Sequence, residues 1–246
     1  MHERLLFWWG SCHIGEVIRR CAIRRVLDPF PHSGMRILDA GCGRGDNALW
    51  FARRFTDGAV HAVDLDPELV ACVRQRVVDA GLRNISVQQA DIEQFESDAR
   101  YGIIYSVDVF EHLKDPAAAL TRIAHVLERG GWCVIHVPRA AQRRWFRRFD
   151  RYEQHDHARD GFEPEELTVL MRAAGLTVQD IRHTFGPPGA LAWELFHLAQ
   201  GIGKWFALLT YPIPRFFAWV DGWVRWKRGN GMLIVSRKPT AASDKP

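Results

Sequence analysis

Residues 35–55, MRILDAGCGRGDNALWFARRF, pass from a strand through alternate glycines into a helix, and few folds accept that order. Ile37 and Leu38 are the strand's apolar run and Asp39 closes it. Gly41, Gly43 and Gly45 make the turn, and Ala48, Phe51, Ala52 and Phe55 recur at helical spacing. Glycine tolerates positive φ and has no side chain, so backbone amides in such a turn can approach a ligand closely. A ligand is therefore expected on this loop.

The spacing narrows the ligand. A dinucleotide fingerprint requires Gly-x-Gly-x-x-Gly, whereas here an acid precedes glycines at every second position. The run resembles motif I of the class I S-adenosylmethionine (SAM)-dependent methyltransferases. A carboxylate ahead of the glycines suits the ammonium group of the methionine end and would repel a diphosphate. Taken alone, the loop leaves a nicotinamide cofactor open.

The next elements bear on that choice. A second buried strand at 59–63 ends in Asp64 and Leu65, and Asp66 with Pro67 starts a helix with inner positions Val70, Val73 and Val77. A carboxylate at this strand tip can accept hydrogen bonds from both ribose hydroxyls, a device shared by nicotinamide proteins and methyltransferases. The third strand, NISVQQ, leads to Asp91 and Ile92. In the methyltransferases that the chain resembles, an acid at the position of Asp91 reaches the adenine amino group and its neighbour packs on the ring. A fourth strand around 103–105 places Ser106 to His112 at its carboxyl end, and Glu111-His112-Leu113 followed by a capped helix resembles the UbiE and UbiG-like branch. Ligands of open α/β sheets bind outside the carboxyl ends of the strands, where all these candidates fall.

A helix from Asp115-Pro116 to Gly130-Gly131, with Leu120, Ile123, Ala124 and Leu127 inward, precedes a fifth strand at 132–137. A helix over 164–174 and strands over 177–183 and 231–237 complete the pattern. The resemblance implies a Rossmann-like α/β fold: a mostly parallel seven-stranded sheet, helices on both faces and an antiparallel last strand. A chain of 246 residues, 47% apolar and 25% charged, suits one such domain with decoration. We assign residues 1–238 to it and 239–246 to a flexible tail. Residues 1–32, with a helix within 11–28, form an N-terminal cover on which His13 is a distant substrate-side candidate.

Two stretches depart from the plain fold. Residues 139–163 carry seven arginines interleaved with Trp145, Phe146, Phe149 and Tyr152, and in the family this region covers the substrate. Residues 187–229 form a long aromatic insertion before the last strand. Leu191, Leu195, Leu198, Ile202, Phe206 and Leu209 follow one helical stripe, with Glu194, His197 and Lys204 away from it. Phe216, Phe217, Trp219, Val220, Trp223 and Trp226 follow Pro212 and Pro214. Aromatic faces with a basic rim suit the boundary between lipid headgroups and acyl chains, or else cap a pocket or make a dimer. Peripheral contact with an anionic membrane is expected through 139–151 and 187–229.

The net charge of +4 is carried by arginine, with five lysines, and its location matters more than its sum. The five cysteines, at 12, 21, 42, 72 and 133, are odd in number and lack metal-site spacing. They are read as reduced, in a cytoplasmic protein at the inner face of the membrane. The opening MHERLLFWWG has too short an apolar run for a signal peptide.

Methyl transfer is an in-line displacement, so the protein's main task is to align donor and nucleophile in a dry pocket. A hydroxyl acceptor also needs a base. His112, His155 and His157 are the catalytic candidates, with Glu111 and Tyr152 behind them. His155-Asp156-His157 lacks a further ligand at metal spacing, so no metal is expected. No NPPY-like turn follows the fourth strand, which argues against a nucleic-acid base as acceptor. The expected activity is SAM-dependent O- or C-methylation of a small lipophilic acceptor, with S-adenosylhomocysteine as product. A non-catalytic SAM-binding or membrane-adaptor protein and a nucleic-acid methyltransferase are the alternatives. The expected cofactor contacts are Asp39, Gly41, Gly43, Gly45, Asp64, Leu65, Asp91, Ile92 and Ser106.

Overall fold

The structure, a computed structural model, describes residues 13–30, 33–149 and 158–240. The chain runs through α1 (Ile14–Leu27), β1 (Arg36–Ala40), α2 (Asp46–Arg54), β2 (Ala59–Asp64), α3 (Pro67–Asp79), β3 (Ile85–Gln89) and β4 (Tyr101–Val107). It continues through α4 (Pro116–Val126), β5 (Leu127–Pro138), α5 (Pro164–Ala173) and β6 (Thr177–Thr184). Three helices, α6 (Pro187–Ile202), α7 (Lys204–Thr210) and α8 (Pro212–Trp223), then precede β7 (Gly231–Arg237). The strands form one sheet in the order β3-β2-β1-β4-β5-β7-β6. Strands β1 to β5 pair in parallel, and β7 runs antiparallel to both neighbours, as the resemblance implied.

Side chains alternate across a strand, so successive residues of β1 enter different cores. Leu38 points to a core with Phe110, Leu120 and Met171, whereas Ile37 points to one with Phe51, Tyr105 and Val134. A sheet covered on both faces must be apolar on both, which is why these strands read as continuous hydrophobic runs. The carboxyl ends of the parallel strands are then the edge left free for chemistry.

Asp66 accepts from the amides of Glu68 and Leu69 and Pro67 occupies the first turn, so α3 starts where its capping residues predict. The fourth helix ends earlier than expected. It stops at Val126, and Leu127 already pairs with Tyr101 as the first residue of β5. A register shift between Tyr101 and Ile103 absorbs the glycines, and Lys238 Nζ donates to the freed carbonyls of Ala124 at 2.6 Å and Leu127 at 2.8 Å.

The insertion buries a face offset from the expected stripe. On α6 the buried positions include Ala190, Ala192, Trp193, Glu194, Phe196 and Ala199; of the expected stripe Leu191, Leu195 and Leu198 are half-buried, and Ile202, with Phe206 and Leu209 on α7, faces solvent. The hydrophobic cluster of α6 takes in Ile14 and Ile18 of α1 and Tyr211 and Ala218 at α8. Glu194 is fully buried and accepts hydrogen bonds from the Trp145 amide at 2.9 Å and the Phe146 amide at 2.8 Å. Asp221 on α8 similarly accepts from the amides of Phe185 and Gly189, and a Cβ at Gly189 would lie 2.5 Å from its carboxyl carbon. These two carboxylates tie the insertion to the loops beneath it. No helix among the described residues is long and apolar enough to cross a membrane.

Candidate active site

The glycine loop is fixed from below. The amides of Gly41 and Cys42 both donate to the Val63 carbonyl, at 2.9 and 2.8 Å, so the turn hangs from the end of β2. Gly41, Gly43 and Gly45 all have positive φ, at 82, 53 and 76°, which side chains other than glycine rarely adopt. Their surroundings differ. A Cβ at Gly41 would overlap the Val109 side chain and one at Gly45 would lie 2.7 Å from Val73, whereas one at Gly43 would meet nothing within 4 Å. The first and last glycines therefore serve packing, and Gly43 opens onto a cleft of about 390 Å3.

That cleft also holds Asp39, Asp108, Glu111, His112 and, from α1, Arg19 and Arg20. Asp39 is only 3% exposed, and its carboxylate accepts from the Tyr105 hydroxyl at 2.7 Å. Burial pushes its pKa up to about 7, against the smaller opposing effect of that hydrogen bond. Glu111 is 1% exposed, and neither of its carboxyl oxygens has a hydrogen-bond partner among the described residues. Burial, followed by the negative charge of Asp108, raises its pKa well above the ordinary carboxylate range. The lining of the cleft thus includes a carboxyl group whose surroundings favour its protonated form, the form able to donate.

The other expected cofactor residues spread along the sheet edge. Asp64 meets the loop directly: Oδ2 accepts from the Gly43 amide at 2.7 Å and Oδ1 from the Asp66 amide at 3.1 Å. Leu65, 65% exposed, and Asp91 lie beside it at the carboxyl ends of β2 and β3, outside the walls of the cleft. Asp91 turns its Oδ1 back to the Glu93 amide at 2.9 Å. Two expectations are corrected. Ser106 is completely buried and commits its hydroxyl to the Ala40 carbonyl at 2.7 Å, so its side chain does not reach the cleft. Ile92 is a core side chain, packed with Phe95 and Leu120.

Of the catalytic candidates, His112 is on the rim of the cleft. His155, His157 and Tyr152 lie outside the described residues. His13 packs edge-on against Phe196 at 5.4 Å, away from the cleft, and burial lowers its pKa to about 4.

Sequence reasoning missed a polar chain beside the loop. His136 Nδ1 lies 2.5 Å from Asp108 Oδ1, and its Nε2 lies 2.8 Å from the Thr184 hydroxyl. Arg19 pairs with the other oxygen of Asp108. Asp108 holds φ at 51°, an uncommon conformation for a residue other than glycine and one enriched at functional sites. The available signal was topological: Val107 and His136 are partners on adjacent strands, so the ends of β4 and β5 bring His136 beside Asp108. A small void, about 40 Å3, touches Arg19, Asp108 and Pro138 of the cleft on one side and Arg144, Phe185 and Asn230 of a larger cavity on the other.

The sequence matches the family described as "Methyltransferase domain" over residues 15–181. Among its relatives, the ubiquinone biosynthesis O-methyltransferase of Xylella fastidiosa (strain 9a5c) is 30% identical over 71% of this chain and 75% of its own length. The aklanonic acid methyltransferase DauC of Streptomyces sp. (strain C5) is 35% identical over 47% of this chain and 54% of its own. In fold, the chain superposes on phosphoethanolamine N-methyltransferase 2 of Haemonchus contortus, solved with SAM, with a TM-score of 0.67. That pair shares 18% identity, covering 89% of this chain and 51% of the other. The [4+2]-cyclase SpnF matches with a TM-score of 0.62 and 22% identity, over 92% of this chain and 81% of its own. With the acid–glycine loop, the parallel sheet and its reversed last strand in place, the chain belongs to the methyltransferase-domain family, as an enzyme whose methyl donor is SAM.

Proposed function

We propose that this enzyme methylates oxygen or an activated carbon of a small lipophilic acceptor at a membrane face. The carrying observation is the open face of Gly43 between Asp39 and Asp64, which offers the donor an approach to backbone. In this reading Asp39 faces the ammonium group of SAM, Asp64 its ribose and Asp91 its adenine. The relatives named for ubiquinone and aklanonic acid support a phenolic or polyketide-like acceptor. Asp108 at the junction of cleft and void, with His112 on the rim, is placed to take the acceptor's proton.

The aromatic face supports the membrane part. Phe216, Trp219 and Trp223 are each more than half exposed and follow one another along α8, with Trp219 and Trp223 rings 5.7 Å apart. Arg25 sits over the Trp223 ring at 4.6 Å. Trp226 does not join them: its indole N–H donates to the Asp221 carbonyl and its ring packs over Gly186. An exposed aromatic row beside cations suits the headgroup boundary.

Calorimetric titration with S-adenosylhomocysteine, with NADH as control, tests the donor site. Labelled SAM with lipophilic phenols and polyketides then tests transfer. Sedimentation with phosphatidylglycerol vesicles tests the surface: Trp219→Ala/Trp223→Ala should lose binding, and Trp226→Ala should not lose it specifically. Undiminished vesicle binding by the double variant would remove the aromatic row from the interface.

A further inference from the structure

Beyond the small void lies a cavity of about 810 Å3, lined from the 139–145 segment, the start of α5, the end of β6 and the turn before β7. Its walls carry five permanent cations: Arg139, Arg143, Arg144, Lys227 and Arg228. Glu163 and Glu165 are the opposing carboxylates, which leaves three positive charges in excess. His183 adds none, since burial and then the Arg139 charge lower its pKa. Arg139 is paired with Glu163, whose carboxyl it holds below the ordinary range. Among the described residues, Arg143, Lys227 and Arg228 make no ion pair, so the excess is not neutralised within the wall.

The backbone of the cationic segment is held in place by Asn230. Asn230 clamps Arg143 in both directions, accepting from its amide at 2.8 Å and donating to its carbonyl at 2.7 Å. Its own carbonyl accepts from the Arg139 amide at 2.8 Å, and its amide donates to the Phe185 carbonyl at 3.0 Å. Like charges brought together on a concave wall repel one another, and a bound anion relieves that repulsion. The lining also has apolar members, Trp145, Phe185, Pro187 and Ala190. Trp145 is fixed by its indole N–H to the Pro187 carbonyl at 3.0 Å.

We propose that this cavity binds the phosphate or diphosphate of an amphiphile, with the cations taking the anion and the apolar members of the lining the adjoining hydrocarbon. A monocarboxylate would leave most of the excess charge unbalanced, whereas a phosphate monoester carries roughly −1.5 to −2 at neutral pH and a diphosphate more. Guanidinium groups also meet phosphate oxygens in a bidentate fork. Building on the proposed methyl transfer, the acceptor's anionic group is anchored here while its nucleophile reaches through the Asp108–His136 junction toward SAM.

The test is calorimetric titration of the full chain with inorganic pyrophosphate at fixed ionic strength, with acetate as control. Saturable pyrophosphate binding is expected, weakened by about tenfold or more in Arg143→Ala/Arg228→Ala. Affinity for S-adenosylhomocysteine should be unchanged, because both side chains lie outside the donor cleft, and the melting temperature should not fall, because two mutually repelling charges are removed. A sample that binds S-adenosylhomocysteine but not pyrophosphate overturns the proposal, as does pyrophosphate binding undiminished in the double variant. Loss of S-adenosylhomocysteine binding alone would strike the donor reading and leave the anion site standing. Displacement of pyrophosphate by phosphatidylglycerol vesicles, but not phosphatidylcholine ones, would identify a lipid headgroup as the anion's source. Persistence in their presence would identify a soluble phosphorylated acceptor.

Discussion

Asp39 provides a test in which charge alone is varied. In the unfolded chain its carboxyl loses its proton near pH 4, whereas burial in the fold holds the proton to about pH 7. Between those values the folded state carries one proton more, so stability falls as pH rises, and the penalty is complete above about pH 7. A displacement from 3.8 to about 7 corresponds to about 4 kcal/mol. Asp39→Asn removes the charge and keeps an acceptor for the Tyr105 hydroxyl. The ligand-free variant should therefore melt higher than the natural protein at pH 8, on the order of 10 °C by the usual scaling for a chain of this size. The gap should shrink steadily toward pH 5.

The same group reverses sign when the cofactor binds. The ammonium of S-adenosylhomocysteine requires the ionised carboxylate, so affinity of the natural protein should rise roughly tenfold per pH unit up to about pH 7 and then level off. The Asn variant should bind weakly and show no such slope. Differential scanning fluorimetry and calorimetry across pH 5–8 measure both effects. Parallel melting profiles for the two proteins, or equal affinities at pH 8, would refute the assignment of a buried, cofactor-facing charge to Asp39.

The loop glycines should separate by role. Gly41→Ala meets Val109 and keeps a strained φ, which should cost about 2–4 kcal/mol in urea denaturation. Gly43→Ala faces open space, so it should cost only about 1–2 kcal/mol of backbone strain while sharply reducing S-adenosylhomocysteine affinity. Equal stability losses would show that the two positions share one role. Glu194→Ala orphans the amides of Trp145 and Phe146 and should destabilise the fold by about 2–5 kcal/mol. An unchanged denaturation midpoint would mean that water reaches those amides.

The parts of the site that were legible are those built from consecutive residues. Strand, glycine turn and helix between 35 and 55 stand out because period-2 and period-3.6 patterns abut across glycines that local backbone geometry requires. Asp64 was legible for the same reason, as the last residue of an apolar run before a helix cap. Ser106 was misassigned because alternation along the apolar strand does not say where it ends: Ser106 and Asp108 are two positions apart, but Ser106 is within β4 with a buried hydroxyl, whereas Asp108, just past its end at a φ of 51°, turns its carboxylate into the cleft. The contacts among Asp108, His136 and Thr184 join residues separated by 28 and 48 positions. Only the strand order brings them together, and one chain's periodicity does not encode it.

The insertion shows why periodicity gives a stripe but not its direction. A helix whose apolar residues run along one side ordinarily buries that side, yet α6 buries Glu194 and leaves Ile202 in water, as Phe206 and Leu209 are on α7. The offset is tolerated because Trp193, Phe196 and three alanines supply a second apolar face, and because Glu194 is satisfied by two amides that have no helical partner. Two apolar faces on one helical stretch must meet two apolar surroundings. The inner one is the cluster with α1. The outer one is exposed, as are the rings of α8, while α6 begins beside the cationic cavity at Pro187 and Ala190. An amphiphile with its tail along the aromatic face and its phosphate among the arginines would satisfy both surfaces at once. The vesicle and pyrophosphate measurements should then be coupled: Arg143→Ala/Arg228→Ala should weaken binding to anionic vesicles without affecting the aromatic row's affinity for neutral ones, and independent behaviour of the two surfaces would separate them.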